Sequence, residues 1–183
     1  MKKKNNGFGV LGIDPGLQGH FVLFNGKKFA SWKMPVKTNG KTKEIIFDHV
    51  AELIQKIFLD FGEFHVYLER AVSFGMGSTG AFNYGRGFAM LEIALKLSEL
   101  PVTYVEPGKW TKEMHEGISK DLKPKAKSLV AVERLYPSLV AQIPRNKNGR
   151  LDEGCVDALL IAGYGYRKQS GAKVLSETIP DFY

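Results

Sequence analysis

The sequence predicts an α/β fold, with a mixed five-stranded sheet and helices on both of its faces. Two observations favour this class. The chain up to Pro35 contains three short apolar segments separated by turn-forming residues, which predicts two successive antiparallel hairpins. Beyond Pro35, segments with the apolar period of helices alternate with short strand-like runs, and this alternation predicts helices that cover a sheet.

The strand candidates are short apolar runs bounded by glycine, proline or acidic residues. They are expected at residues 8–13, 20–25, 28–34, 64–68 and 101–105. The first run stops at Asp14, before a Pro-Gly pair, and the fourth stops at Glu69. Residues 36–43 and 144–150 are polar and basic, and we expect both segments to form loops.

The helix candidates have apolar residues at helical spacing. They are expected over residues 44–60, 83–100, 125–136 and 152–166. Residues 71–81 contain three glycines and predict a flexible loop, whereas residues 107–123 are mostly polar and predict irregular structure. Together these elements predict one domain over residues 1–167 and a peripheral tail at residues 168–183.

The charge balance favours a polyanionic partner. The 183 residues include 26 lysines and arginines and 19 aspartates and glutamates, which gives a formal net charge of +7 at pH 7. The single cysteine excludes an internal disulfide and is compatible with a reducing compartment. Neither a signal peptide nor an apolar run long enough to span a membrane is recognisable. We therefore expect a cytoplasmic protein without a membrane partner.

Four acidic residues are the candidates for chemistry. If the first strand lies beside the fourth, Asp14 and Glu69 meet at one rim of the sheet. Asp157 lies in an apolar helical segment beyond its first turn, and Glu153 shares its face at i and i+4. Asp152 lies about 140° away around the helix. Plainer explanations exist, because Asp-Pro-Gly is common in turns and acids at a helix start suit the helix dipole.

Such a group of carboxylates predicts a site for hard cations. Mg²⁺ prefers a few carboxylates together with waters and a substrate phosphate. Two such ions, about 4 Å apart, promote phosphodiester hydrolysis by activating a water and stabilising the leaving oxygen. We expect two Mg²⁺ ions here, with Mn²⁺ as a substitute. The four histidines lack the spacing of a zinc site.

The order of these motifs resembles a known family. Gly12-Ile13-Asp14-Pro15-Gly16, Leu68-Glu69 and Asp157-Ala158-Leu159-Leu160-Ile161-Ala162 resemble the RuvC Holliday-junction resolvases of the ribonuclease H-like nucleases. The resemblance spans about residues 9–166 and looks closest to phage and viral members, which would place the protein in the host cytoplasm. It implies a ribonuclease H-like domain in a homodimeric, Mg²⁺-dependent endonuclease that cuts two opposing strands of a four-way junction.

The resemblance also implies roles for the acids. Asp14, Glu69 and Asp157 match catalytic acids of the family. Many relatives carry an acid or a histidine three residues before the last aspartate, where this chain has Gly154. Other relatives have an acid-Gly-x-x-Asp-Ala pattern that matches Glu153. We assign Glu153 as the fourth acid and keep Asp152 as the rival.

Several residues are candidates for DNA contacts. Segments that resemble the family near its fifth strand and the following helix contain Lys112, Lys125 and Lys127, and one lysine would steady the scissile phosphate. The spacing does not decide between Lys125 and Lys127, and a solvated helix face is the alternative. Arg86, in an Arg-Gly pair that resembles one of the family, is a candidate for a phosphate contact. Phe74, in the glycine-rich loop, would stack on a base at the junction centre.

Three other functions are alternatives. Another ribonuclease H-like nuclease, acting on an RNA–DNA hybrid or a flap, is the nearest alternative, because a fold does not fix its substrate. A junction-binding protein without cleavage is a second, although the intact acids argue against it. An actin-like or sugar-kinase ATPase would need two related domains, and this chain is too short for them.

Overall fold

The computed structural model describes residues 9–40, 42–70, 75 and 77–171. The strands are β1 (Gly9–Ile13), β2 (His20–Phe24), β3 (Phe29–Lys33), β4 (Val36–Asn39), β5 (Thr42–Ile45), β6 (Phe64–Glu69) and β7 (Val102–Val105). The helices are α1 (Phe47–Phe61), α2 (Ser78–Leu97), α3 (Pro107–Met114), α4 (Pro124–Leu135) and α5 (Glu153–Ser170), and a 3-10 helix covers Pro137–Gln142. None of the helices in the described ranges is long and apolar enough to cross a membrane.

The central sheet has five strands in the order β3-β2-β1-β6-β7. β1 is antiparallel to β2 and parallel to β6, and β7 is parallel to β6. The sheet is therefore mixed, as the sequence predicted. Because β1 lies at its centre, every residue of β1 is buried, which explains the apolar sequence of that strand.

Helices cover both faces of the sheet, which confirms the predicted architecture. α1 and α2 pack on the face that carries Leu11 and Ile13 of β1. α5, flanked by α3 and α4, packs on the opposite face against Val10 of β1 and Tyr67 of β6. Successive strand residues point to opposite faces, so each hydrophobic core takes alternate residues of the central strands.

Glycines let α5 lie directly on its neighbours. A Cβ atom at Gly12 of β1 would lie 2.4 Å from the carbonyl oxygen of Ala158 and from the amide nitrogen of Ala162. At the start of α5, a Cβ atom at Gly154 would lie 2.0 Å from the carbonyl oxygen of Gln18. Distances under 3 Å leave no room for a side chain, so these two glycines fix the position of α5 over β1.

Two segments differ from the sequence-based prediction. Residues 36–43, predicted as a loop, contribute to the antiparallel hairpin β4–β5, in which Lys37 forms a cross-strand ion pair with Glu44 at 3.1 Å. Residues 107–123, predicted as irregular, begin with α3. Pro107 suits the first turn of a helix, and the buried pair Trp110 and Met114, at i and i+4, anchors this helix to the core.

Helix boundaries also differ from those predicted. α1 begins at Phe47 because Glu44 and Ile45 belong to β5, and α2 begins at Ser78, five residues before the predicted start. α5 continues past residue 166 to Ser170 and ends at Gly171, whose φ of 63° is the left-handed conformation that favours glycine. The division into a domain at 1–167 and a tail at 168–183 stays a prediction, and residues 172–183 lie outside the described part.

Candidate functional site

Asp14 and Glu69 are neighbours at one edge of the sheet. Ile13 and Leu68, the residues before them, are register partners in the parallel strands β1 and β6. Both face α1 and α2, so alternation along the strands turns Asp14 and Glu69 toward the face covered by α5. The amide of Asp14 still donates to the carbonyl of His20 at 3.1 Å, which keeps the acid in line with the sheet.

α5 adds Asp157 to these two acids. Asp157 directly precedes Ala158, the residue whose carbonyl lies against Gly12 at the centre of β1. The charges of Asp14 and Asp157 both contribute to the raised pKa of Glu69, and the charge of Asp14 contributes to that of Asp157. The three carboxyl groups therefore form one electrostatically coupled cluster built from two strand ends and a helix.

Burial is the main influence on these three acids. It raises the pKa of Glu69 to about 7 and that of Asp157 to about 6, and it raises the pKa of Asp14 as well. Hydrogen bonds oppose the shift. The Gly16 amide donates to Asp14 Oδ1 at 3.0 Å, the Trp110 indole nitrogen donates to Glu69 Oε1 at 2.6 Å, and the Ser128 hydroxyl bonds to Asp157.

Glu153 and Asp152 differ in their surroundings. Glu153 is partly exposed, forms an ion pair with Lys125 and contributes its charge to the raised pKa of Asp157. Asp152 is the N-cap of α5 and accepts from the Cys155 amide at 3.4 Å. It also lies 3.2 Å from the Lys33 ammonium and 3.6 Å from the His20 Nδ1 atom. Asp152 therefore holds the helix start, and its charge also contributes to the raised pKa of Asp14. The assignment of Glu153 as the fourth acid stays a prediction.

The acids fit a divalent cation. Asp157 Oδ1 is buried and has no hydrogen-bond partner in the described residues, and a buried carboxylate oxygen without a donor is a costly arrangement that a cation would relieve. In the same ranges, no group of three or more His, Cys, Asp or Glu side chains is arranged to hold a metal ion by itself. A cation here would therefore need waters as further ligands, and a substrate phosphate would replace some of them when DNA is bound, which is the usual coordination of Mg²⁺.

Of the predicted DNA-contacting residues, Lys125 lies at the acidic cluster. Its hydrogen bond to Glu153 raises its pKa, with further contributions from Asp157 and Asp14. Lys125 also borders a small cavity together with Ser128, Glu153 and Asp157. Of Lys125 and Lys127, between which the sequence did not decide, Lys125 interacts with Glu153 of this site. The lysine that steadies the phosphate stays a prediction.

The other candidates lie elsewhere or outside the described ranges. Burial lowers the pKa of His115, and the charge of Lys127 contributes to this shift. Lys112 is exposed in the last turn of α3. Arg86 on α2 forms an ion pair with Glu44 of β5. Phe74 lies outside the described residues, so its role stays a prediction.

Three residues near the acids were missed as site residues by sequence reasoning. Trp110 and Ser128, described above, are hydrogen-bonded to Glu69 and Asp157. Tyr84 on α2 is half-buried, and burial, with the charges of Glu69 and Asp14, raises its pKa to about 12. Trp110 and Ser128 do lie in the two segments that resemble the resolvase family, but in those segments the resemblance points to lysines.

Comparison with known proteins identifies the fold. No family model matches this sequence, and no curated protein sequence is detectably similar to it. Among solved structures, Thermus thermophilus RuvC in complex with a Holliday junction substrate is 18% identical, covers 90% of this chain and 97% of its own, and superposes with a TM-score of 0.58. A further structure of Thermus thermophilus RuvC is 17% identical, with coverages of 89% and 96% and a TM-score of 0.54.

The yeast mitochondrial Holliday junction resolvase Ydc2 is also similar. It is 16% identical, with coverages of 88% and 78% and a TM-score of 0.56. These likenesses extend over nearly the whole chain and show that it has the ribonuclease H-like fold of RuvC, as the sequence motifs predicted. The particular closeness to phage and viral members stays a prediction.

Proposed function

We propose that this protein is a Mg²⁺-dependent endodeoxyribonuclease that resolves four-way DNA junctions by cutting two opposing strands. The observation that carries the proposal is the coupled cluster of Asp14, Glu69 and Asp157, with the unpartnered Asp157 Oδ1 among its atoms. The solved structures with this fold include a resolvase bound to a Holliday junction. The cluster supports nuclease chemistry, and the fold supports a branched substrate.

Each acidic residue would have a role in cation binding that depends on its position. Asp14, Glu69 and Asp157 would hold the cations, with Glu153 completing the set from the exposed side. Bound Mg²⁺ supplies the activation of a water for attack on phosphorus and the stabilisation of the leaving oxygen. Lys125 would leave Glu153 and steady the scissile phosphate, since an ammonium is a suitable partner for a phosphate oxygen.

Other contacts would position the DNA. Lys112, Lys127 and Arg86 are the proposed phosphate contacts, and the net charge of +7 supports an electrostatic contribution to binding. Phe74 is the proposed stacking residue at the junction centre. Cleavage of two strands requires two sites, so we propose a homodimer.

The test is cleavage of a synthetic four-way junction in Mg²⁺, beside linear duplex, flap and RNA–DNA hybrid substrates. The wild-type protein should cut the junction preferentially. Asp14→Asn should lose cleavage while still binding the junction, because affinity comes mainly from basic contacts to phosphate. Asp48→Asn, at an exposed position in the first turn of α1, makes the same chemical change away from the cluster and should retain activity.

The same assay separates the alternatives. Preferential cutting of the hybrid or the flap would assign a different substrate to the same site. Junction binding without cutting of any substrate would identify a binding protein. Full activity of Asp14→Asn would remove this cluster from the mechanism.

A further inference from the structure

Trp110 makes an unusual contact for a core residue. Its side chain is only 3% exposed and packs in the hydrophobic core beside α5. Its indole nitrogen nevertheless donates to Glu69 Oε1 at 2.6 Å, across the boundary between the core and the acidic cluster. A charge-assisted bond of this length is strong and directional, so it fixes the rotation of the carboxylate as well as its position.

Ser128 lies beside the acid on α5. It is one of the few buried polar residues of the described ranges, with 5% exposure. It lines the same small cavity as Asp157, and a hydrogen bond from its side chain lowers the pKa of Asp157. The same hydroxyl oxygen lies 3.2 Å from His115 Nε2. If Ser128 donates its one proton to Asp157, its oxygen remains free to accept from the histidine.

His115 connects the two contacts. Its ring packs edge-to-face against Trp110, with 5.7 Å between the ring centroids. Trp110 belongs to α3, His115 directly follows that helix, and Ser128 belongs to α4. Three side chains in mutual contact, Trp110, His115 and Ser128, therefore form a continuous layer beside Glu69 and Asp157. Glu69 Oε1 is hydrogen-bonded to this layer, whereas Asp157 Oδ1 has no hydrogen-bond partner in the described residues.

We propose that Trp110 and Ser128 are positioning residues that orient the Glu69 and Asp157 carboxylates for a divalent cation. This proposal rests on the proposed function. Groups that hydrogen-bond to metal-binding side chains commonly change metal affinity by 10–100-fold when they are removed. The alternative is that Trp110 only fills space in the core, in which case its N–H group is dispensable.

The variant Trp110→Phe separates these roles, because it retains an aromatic ring and removes the donor. Trp32, the other tryptophan, packs edge-to-face with Phe61 on the opposite face of the sheet, so Trp32→Phe is the matched control. Mn²⁺ affinity is measured by calorimetry without DNA, and the melting temperature of each variant is recorded. Trp110→Phe and Ser128→Ala should each bind Mn²⁺ about 10–100-fold more weakly than the wild type, while Trp32→Phe should bind normally.

A second measurement needs no metal. The two tryptophans give two indole N–H signals by NMR, and Trp110→Phe identifies the signal of Trp110 by its loss. At pH 8, Glu69→Gln should move that signal upfield and leave that of Trp32 in place, since an amide accepts a weaker bond than a carboxylate. An unmoved signal would overturn the contact on which the proposal depends.

The outcomes separate this proposal from the proposed function. If the wild type binds Mn²⁺ and Asp14→Asn weakens binding, but Trp110→Phe and Ser128→Ala bind as the wild type does, the positioning role is wrong and the metal site stands. If neither the wild type nor Asp14→Asn binds Mn²⁺, both proposals fail.

Discussion

Single carboxyl groups determine how this molecule responds to pH. Glu69 and Asp157 titrate near 7 and 6 because burial penalises their charged forms, and each is further raised by its acidic neighbours. Without a cation, ionisation of these groups therefore opposes folding. A fold that keeps such groups together carries a local cost in stability that binding of a cation would offset.

We expect Glu69→Gln to stabilise the metal-free protein at pH 8. The folded pKa of Glu69, about 7, lies above its unfolded value of 4.5. At pH 8 the folded protein bears the cost of the ionised group, and glutamine removes it. One pKa unit corresponds to about 1.4 kcal/mol, and 1 kcal/mol shifts the melting temperature of a domain of this size by about 2–4 °C. The melting temperature in EDTA should therefore rise by several degrees.

The difference in stability between the wild type and Glu69→Gln should depend on pH. As the pH falls from 8 to 5, the folded protein takes up a proton at Glu69 while the unfolded chain stays mostly ionised, so the wild type gains stability relative to Glu69→Gln. His20, His65 and His115, whose pKa values are lowered by burial, act in the opposite sense in both proteins. The difference between the two proteins reports Glu69 together with its coupling to Asp14 and Asp157, and a difference independent of pH would contradict the raised pKa.

Substitutions at Glu153 and at Asp152 should affect cleavage and stability differently. We expect Glu153→Gln to reduce cleavage severely, because Glu153 shares the face of Asp157 and bonds to Lys125. Asp152→Asn should reduce cleavage only mildly, since asparagine remains a good N-cap. Asp152→Ala should lower the free energy of unfolding by about 1 kcal/mol through loss of the cap. Measured cleavage rates and melting curves check both, and a Mn²⁺ ion bound by Asp152 in a crystal would reverse the assignment.

The sequence predicted the positions of the acids because each has a local signature. Asp14 and Glu69 end apolar strands, and Asp157 interrupts an apolar helical run, so carboxylates stand out at those positions. Trp110 and Ser128 have no such signature, because tryptophan and serine are ordinary residues in a helix. Their contacts to the acids exist only through the tertiary packing of α3 and α4, which no spacing in the sequence encodes.

At the scale of elements, the strands of the central sheet and the long helices that cover it were predictable from the sequence. The β4–β5 hairpin and α3, both peripheral, were not. The β4–β5 hairpin is rich in polar residues. It is stabilised by Glu44, which forms ion pairs with Lys37 of the same hairpin and with Arg86 on α2. α3 has only eight residues, too few to show a helical period. In both cases contacts with distant residues compensate for a weak local pattern.

The contact between α5 and β1 gives an element-scale prediction. Gly12→Ala should displace α5, because the new methyl group would meet the backbone of Ala158 and Ala162 at 2.4 Å. We expect a loss of about 1–3 kcal/mol in stability and a larger loss of cleavage, since α5 carries Asp157. Gly85→Ala on α2, where the added atom meets nothing within 4 Å, is the control and should be neutral or slightly stabilising. Equal stability of the two variants would contradict the close packing.

At the scale of the whole molecule, the net charge predicts salt-sensitive DNA binding. Junction affinity should fall steeply as salt rises, because phosphate contacts release counterions. Lys125→Ala should reduce the slope of log affinity against log salt by about one. Lys127→Ala should also reduce it, because Lys127 is a proposed phosphate contact. Lys56→Ala, at an exposed position on α1 that pairs with Asp60, should leave it unchanged. An unchanged slope for Lys125→Ala would return that residue to the role of a solvated ion-pair partner.

Exposed apolar residues support the proposed dimer. Phe82, Ile93 and Leu97 on α2 are 69%, 52% and 71% exposed. At 3.6 residues per turn they fall within about 60° of arc, so they form one largely apolar stripe along the helix, interrupted by Arg86, which lies in the same arc. Large apolar side chains aligned on one exposed face are typical of interaction surfaces. We therefore expect α2 to contact a second copy of the chain.

Leu97→Glu tests this arrangement, since a charge at an exposed position should disrupt an interface without disturbing the fold. Light scattering should give about twice the chain mass of 20.4 kDa for the wild type and a single chain for the variant. Leu59→Glu on α1, where leucine is 74% exposed, is the matched control and should stay dimeric.

On a plasmid with an extruded cruciform, paired cuts give linear DNA and unpaired cuts give nicked circles. Leu97→Glu should shift the product from linear to nicked DNA, because one bound subunit supplies one set of Asp14, Glu69 and Asp157. A variant that remains dimeric, or a monomer that still linearises the plasmid, would contradict the stripe on α2 as the contact that pairs the cuts.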